Sequence, residues 1–149
     1  MEMEHAPSLA LEPYLVFVDD DTDDLEVVID TYAGMGLQNR IKVFTSGEAL
    51  LDYLRTLEQP DLFPSLIVID YNMPRINGLA LLYELKKDKR LKHIPVAIYS
   101  TTLDTAKEKE MLETGALLCR EKRTAPESIR QLMIEFLSFA DIFHESARP

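Results

Sequence analysis

Five short apolar runs alternate along this chain with amphipathic stretches, and that alternation limits the fold more than any other feature. The runs are YLVFV (14–18), IKVF (41–44), SLIVI (65–69), PVAIY (95–99) and ALLCR (116–120). Their lengths suit strands, and three of them are almost continuously apolar, as expected of strands covered on both faces. Helix ends punctuate the stretches between them. A first helix is expected from about Thr22 to Met35, stopping at Gly36, and a second opens with Thr45 and Glu48 in capping-box spacing. A third follows Asn77, a fourth begins near Asp104 and ends before Gly115, and a fifth starts around Pro126. This order implies βαβ units with right-handed crossovers, hence one doubly wound, five-stranded parallel sheet with helices on both faces.

With 149 residues, 46% of them hydrophobic and 28% charged, the chain suits one folded domain with a proper core. The expected organisation is a flexible N-terminal segment at 1–12, the domain over 13–143 and a C-terminal tail at 144–149. A net charge of −10 argues against nucleic acid or an anionic membrane as a partner, since both need a positive footprint. The dense basic run KKDKRLK (86–92) reads as the solvated end of a helix, where lysines complement the macrodipole. A single cysteine, Cys119, cannot form an intrachain disulfide. The N-terminus MEMEHAPSLALEP carries acids where a signal peptide needs positive charge, and no apolar run approaches the roughly 18 residues of a membrane span. A cytoplasmic location is the expectation. His5, His93 and His144 lie far apart without ligand spacing and read as surface residues.

Ligands of such a sheet bind outside the carboxyl ends of its strands, so the residues just after each strand are the ones to inspect. After the first strand, VFVDDDTDD (16–24) crowds five aspartates into six positions. Like charges about 4 Å apart repel by about 1 kcal/mol in water and about 4 at the effective dielectric near a protein surface. Alone, the cluster reads equally as a solvated acidic turn or as a cation site. Asp70 follows the third strand, Ser100, Thr101 and Thr102 the fourth, and Glu121 and Lys122 the fifth. Singly, a strand-end aspartate is a turn or helix cap, Ser100 a capping hydroxyl and Lys122 a surface charge. Jointly they put carboxylates, a hydroxyl and an ammonium on one rim. That set supplies oxygen ligands for a hard cation such as Mg²⁺, a carboxylate nucleophile, and donors for phosphoryl oxygens.

VFVDDD, LIVIDYNMPRINGLALL, IPVAIYSTT and the lysine of CREK resemble the receiver domain of two-component response regulators, over roughly residues 14–140. The loop signature IDYNMPRINGLALL is the most specific of these, and with no output domain after it the chain resembles the stand-alone receivers. The resemblance implies a flavodoxin-like (βα)5 fold and a phosphorylation-controlled signalling switch. In that family pattern Asp70 accepts a phosphoryl group from a histidine kinase or histidine phosphotransfer protein. Mg²⁺ is held by Asp19, Asp20, Asp70 and the backbone carbonyl of Asn72, with Asp20 a direct ligand. Ser100 matches the switch hydroxyl and Lys122 the lysine that pairs with the phosphoryl group, while Asn72 and Thr102 sit where the family varies its dephosphorylation rate. Such a domain catalyses its own phosphoryl transfer and autodephosphorylation without being a conventional enzyme. On this reading Mg²⁺ relieves the repulsion at 19 and 20, while Asp21, Asp23 and Asp24 are capping and first-turn acids.

The family commonly uses the fourth helix, fifth strand and fifth helix for partners and self-association. Here Ile129, Leu132, Met133, Phe136 and Ala140 form one helical stripe facing the sheet, and Ile134 and Ile142 lie off it, which suggests a homodimer. Some positions depart from the pattern. The residue after Lys122 is usually a proline with a cis peptide bond but here is Arg123, and a non-proline cis bond costs about 3 kcal/mol. Cys119 stands where many members carry an aromatic that acts as a rotamer switch, and Tyr99, just before Ser100, reads as a buried packing residue, with a role in coupling motion as the alternative. A receiver-like interaction module that never cycles phosphate is the main alternative. A haloacid-dehalogenase-type phosphatase fails because Asp23 breaks its D-x-D-x-[TV] pattern, and an EF-hand fails at Asp24 and Asp30.

Overall fold

The computed structural model describes residues 12–146. Residues 1–11, most of the segment read as flexible, and 147–149 of the tail lie outside the described residues. The strands are β1 (Leu15–Val18), β2 (Ile41–Phe44), β3 (Leu66–Asp70), β4 (Val96–Ser100) and β5 (Leu118–Glu121). The helices between and after them are α1 (Thr22–Gly34), α2 (Gly47–Thr56), α3 (Gly78–Lys87), α4 (Thr105–Thr114) and α5 (Pro126–Ser146). All strand pairs are parallel and the order is β2-β1-β3-β4-β5: the doubly wound parallel sheet expected from the alternation, in the flavodoxin-like (βα)5 arrangement that the resemblance implies.

Strand alternation divides the core in two. Val16, Val18, Ile67 and Ile69 pack with leucines of α2 and α3 on one face, whereas Leu15, Phe17 and Val68 pack with α1 and α5 on the other. Every residue of β1, β3 and β4 is buried, which accounts for their continuous apolar runs. On α5 the expected stripe is in place: Leu132, Met133, Phe136 and Ala140 are buried and Ile129 packs beside them.

Local details differ from the sequence reading. The α2 cap is Ser46 rather than Thr45: Ser46 has extended backbone angles and its hydroxyl accepts the Ala49 N–H at 3.1 Å. Two adjacent hydroxyl residues offer the same capping chemistry, and the backbone, not the residue type, selects between them. The basic run is not simply a solvated helix end. Lys86 is half-buried and donates to the carbonyls of Lys92 and Ile94 at 3.0 and 2.8 Å, holding the turn after α3, and burial pushes its pKa down. Among the described residues no helix is long and apolar enough to cross a membrane.

Candidate functional site

The strand order reverses at β1, which has β2 on one side and β3 on the other. A crevice opens at such a switch point, outside the carboxyl ends of the strands. Asp19 and Asp20 leave β1 there and Asp70 closes β3, so one oxygen from each of the three carboxylates lies within 4.8 Å of the others. Asp19 and Asp70 are buried and Asp20 is exposed. From the far side, the Lys122 N–H donates to the Ser100 carbonyl at 2.9 Å, which ties the end of β5 to the end of β4. The Lys122 ammonium then lies 3.0 Å from Asp19 Oδ2, 3.3 Å from Asp70 Oδ1 and 2.7 Å from Asp24 Oδ2. Ser100 is buried at the end of β4, and its hydroxyl donates to the Thr102 carbonyl at 2.7 Å. Asn72 is exposed and its N–H reaches Asp70 Oδ1 at 3.4 Å.

The Asn77–Gly78 pair has a steric explanation. Asn77 caps α3 by accepting the Ala80 N–H at 2.8 Å. A β-carbon at Gly78 would stand 2.6 Å from the Asp70 carbonyl oxygen and 2.7 Å from Tyr71 Cα. Only glycine lets the first turn of α3 lie against the strand end that carries Asp70.

Burial, reinforced by the charge of Asp19, pushes the Asp70 carboxyl up to about 7, against the opposing pull of Lys122 and the Asn72 N–H. For Lys122, burial alone would favour the neutral amine. Hydrogen bonds to Asp24 and Asp19, with the charges of Asp19 and Asp70, instead hold the ammonium above the ordinary lysine range. Lys122 therefore offsets part of the acidic crowding from inside the protein, at Asp19, Asp24 and Asp70. Asp24 is a first-turn acid of α1, as expected, and is in addition a partner of Lys122. Asp21 does cap α1, accepting the N–H groups of Asp23 and Asp24.

The sequence reading of Tyr99 covered its packing and missed its contact with the rim. It is buried and packs as expected, but its hydroxyl also donates to Asp19 Oδ2 at 2.8 Å. Burial, then the charge and hydrogen bond of Asp19, hold its phenol well above the ordinary range, so it stays a neutral donor. Its place next to Ser100 in β4 was the only signal. Cys119 is buried, with its thiol pushed up to about 11 mainly by burial, and among the described residues no peptide bond is cis, Lys122–Arg123 included.

The rim fits a small hard cation. Oxygens around an octahedral Mg²⁺, held at about 2.1 Å, stand about 3 Å apart when adjacent and about 4 Å apart when opposite. Three carboxylate oxygens within 4.8 Å of one another, with no histidine or thiolate among them, offer the kind of donors that such a cation takes. Residues 15–134 match the response regulator receiver domain family. The chain belongs to this family. It is 32% identical over 120 residues to the two-component response regulator ORR5 of Oryza sativa subsp. japonica, covering 80% of this chain and 85% of that one. It is 28% identical over 95 residues to the probable methanogenesis regulatory protein FilR2 of Methanothrix harundinacea (strain 6Ac), and the match spans 62% of this receiver and only 61% of that regulator. Among solved structures, the phosphorylated cyanobacterial phytochrome response regulator RcpA superposes with a TM-score of 0.69 at 25% identity, covering 85% of this receiver and 96% of that chain. In this receiver the rim residues come from four strand ends, so the parallel sheet itself assembles the site.

Proposed function

We propose that this receiver is a cytoplasmic, Mg²⁺-dependent signalling switch. Asp70 takes a phosphoryl group from the phosphohistidine of a histidine kinase or phosphotransfer protein. The observation that carries the reading is the setting of Asp70: a buried carboxylate with an ammonium at 3.3 Å, grouped with the carboxylates of Asp19 and Asp20. An oxygen of Asp70 attacks phosphorus, and the P–N bond to the donor imidazole breaks with its electron pair leaving on nitrogen. Asp19, Asp20, Asp70 and the Asn72 carbonyl would hold Mg²⁺, which when bound supplies positive charge against the phosphoryl oxygens. Lys122 contributes the same from the protein. Ser100 can reach a phosphoryl oxygen only by leaving the Thr102 carbonyl, which also accepts from the Lys107 ammonium at 3.2 Å. The turn between β4 and α4 is thereby coupled to the state of Asp70, and hydrolysis of the acyl phosphate resets it. Acetyl phosphate is expected to label the protein in Mg²⁺ and not in EDTA, read by intact mass. Equal labelling in EDTA would overturn the metal assignment, and no labelling in either would leave a phosphate-independent interaction module.

Output is through protein–protein contact, including self-association through α4, β5 and α5. Leu112 on α4, Leu117 just before β5 and Ile134 on α5 are 43%, 37% and 40% exposed, which supports an apolar surface there. In sedimentation velocity the wild type is expected to dimerise with a phosphate mimic bound, and Ile134→Lys to sediment as a monomer. A monomeric wild type at tens of micromolar, with and without the mimic, would refute the homodimer.

A further inference from the structure

We infer that Tyr99 is a positioning residue of the cation site: its hydroxyl fixes the Asp19 carboxylate and sets how Asp19 is shared between Lys122 and a divalent cation. The inference rests on the functional reading above. Asp19 Oδ2 accepts two donors, the Tyr99 hydroxyl at 2.8 Å and the Lys122 ammonium at 3.0 Å. Asp19 Oδ1 accepts the Asp21 N–H at 3.0 Å. A carboxylate has about four lone-pair sites, so three are committed and the remaining capacity lies on Oδ1. Asp19 is fully buried, so removing a donor costs the hydrogen bond that satisfies its oxygen.

The position of that hydroxyl is set by the core rather than by the rim. The Tyr99 ring meets Phe17 and Phe136 edge-on, each with centroids 6.3 Å away, and the Lys122 ammonium stands 4.8 Å from its centroid. Tyr99 is also the register partner of Asp70 across β3 and β4, and its carbonyl accepts the Tyr71 N–H at 2.9 Å. One residue therefore links the strand pair bearing the nucleophile to the acid of the neighbouring strand. Phenylalanine would complete the aromatic cluster equally well. What the phenol adds is a single O–H, and it goes to Asp19. Groups that orient a metal ligand from behind in this way typically cost 10–100-fold in metal affinity when removed.

The test is Tyr99→Phe, which keeps the ring and removes the hydroxyl. Mn²⁺ affinity of the unphosphorylated protein, followed by electron paramagnetic resonance, is expected to fall about tenfold or more while the cooperative melt persists. Asp19→Asn should also weaken binding, and Tyr99→Phe should add nothing in the Asp19→Asn background, because Tyr99 acts through Asp19. A purely structural role would not produce that non-additivity. Wild-type affinity in Tyr99→Phe, or equal losses with and without the Asp19 carboxylate, would overturn the inference while leaving the cation site standing. A wild type that binds no Mn²⁺ would overturn the cation reading and this inference together.

Discussion

Asp70→Asn is expected to abolish labelling by acetyl phosphate altogether and, in EDTA, to make the protein more stable than wild type. The first effect follows from chemistry, because an amide of nearly the same shape offers no anionic nucleophile. The second follows from linkage. The carboxyl stands at about 7 in the folded protein against an ordinary value of 3.8, so folding favours its protonated form. The stability this contributes is fully present below the ordinary value and is lost as pH rises through about 7. Metal-free wild type should therefore melt lower at pH 8 than at pH 5, whereas the variant should be flatter across that window. With the solvent and Lys122 screening part of the charge, the gain at pH 8 is about 1–3 kcal/mol. That corresponds to several degrees, at about 2–4 °C per kcal/mol for a chain of this size. Persistent labelling of the variant would remove Asp70 from its role, and a variant less stable than wild type at pH 8 would show that this carboxylate is fully compensated.

Lys122→Met should have the opposite effect on stability. It removes the cation that, among the described residues, lies between Asp19, Asp24 and Asp70, two of which are buried. Removing one partner of a buried ion pair costs about 3–5 kcal/mol. The exposure of Asp24 and the capacity of Asp70 to take up a proton reduce this to about 2–4 kcal/mol, or on the order of 10 °C in melting temperature. Two further results are expected. Mg²⁺ should recover more stability in the variant than in wild type, since it would then be the main compensation. The deficit should also shrink from pH 8 to pH 5 as Asp70 protonates. Thermal melts in EDTA and in Mg²⁺ at both pH values decide the matter, and a variant matching wild type in EDTA would mean that the carboxylates do not depend on this lysine.

Much of the architecture was legible because it follows from local rules. Apolar runs of strand length, alternating with capped amphipathic stretches, admit few folds besides a doubly wound parallel sheet. That fold alone places Asp19, Asp20, Asp70, Ser100 and Lys122 on one rim, because all five close or follow parallel strands. The misplaced α2 cap shows where local reasoning stops: Thr45 and Ser46 are chemically equivalent cappers, and only the backbone angles at Ser46 separate them.

What the sequence determined by itself is the order of elements, the face each residue takes and the strand end from which each candidate group starts, since these depend on periods of 2 and 3.6 residues and on capping chemistry. Tertiary structure decided the contacts between groups. Lys122 meets Asp19 and Asp24 across separations of 103 and 98 residues, and Tyr99 meets Asp19 across 80. The Ser100 hydroxyl turns to the Thr102 carbonyl rather than to Asp70, a choice that spacing does not contain. Periodicity assigns a direction to a side chain, but hydrogen bonding requires heavy atoms within about 3 Å. Separations of that order between neighbouring strands are set by sheet twist and by how α1 and α5 pack around Tyr99 and its aromatic neighbours, which is why one lysine came to offset part of the charge of three carboxylates and one phenol came to hold Asp19.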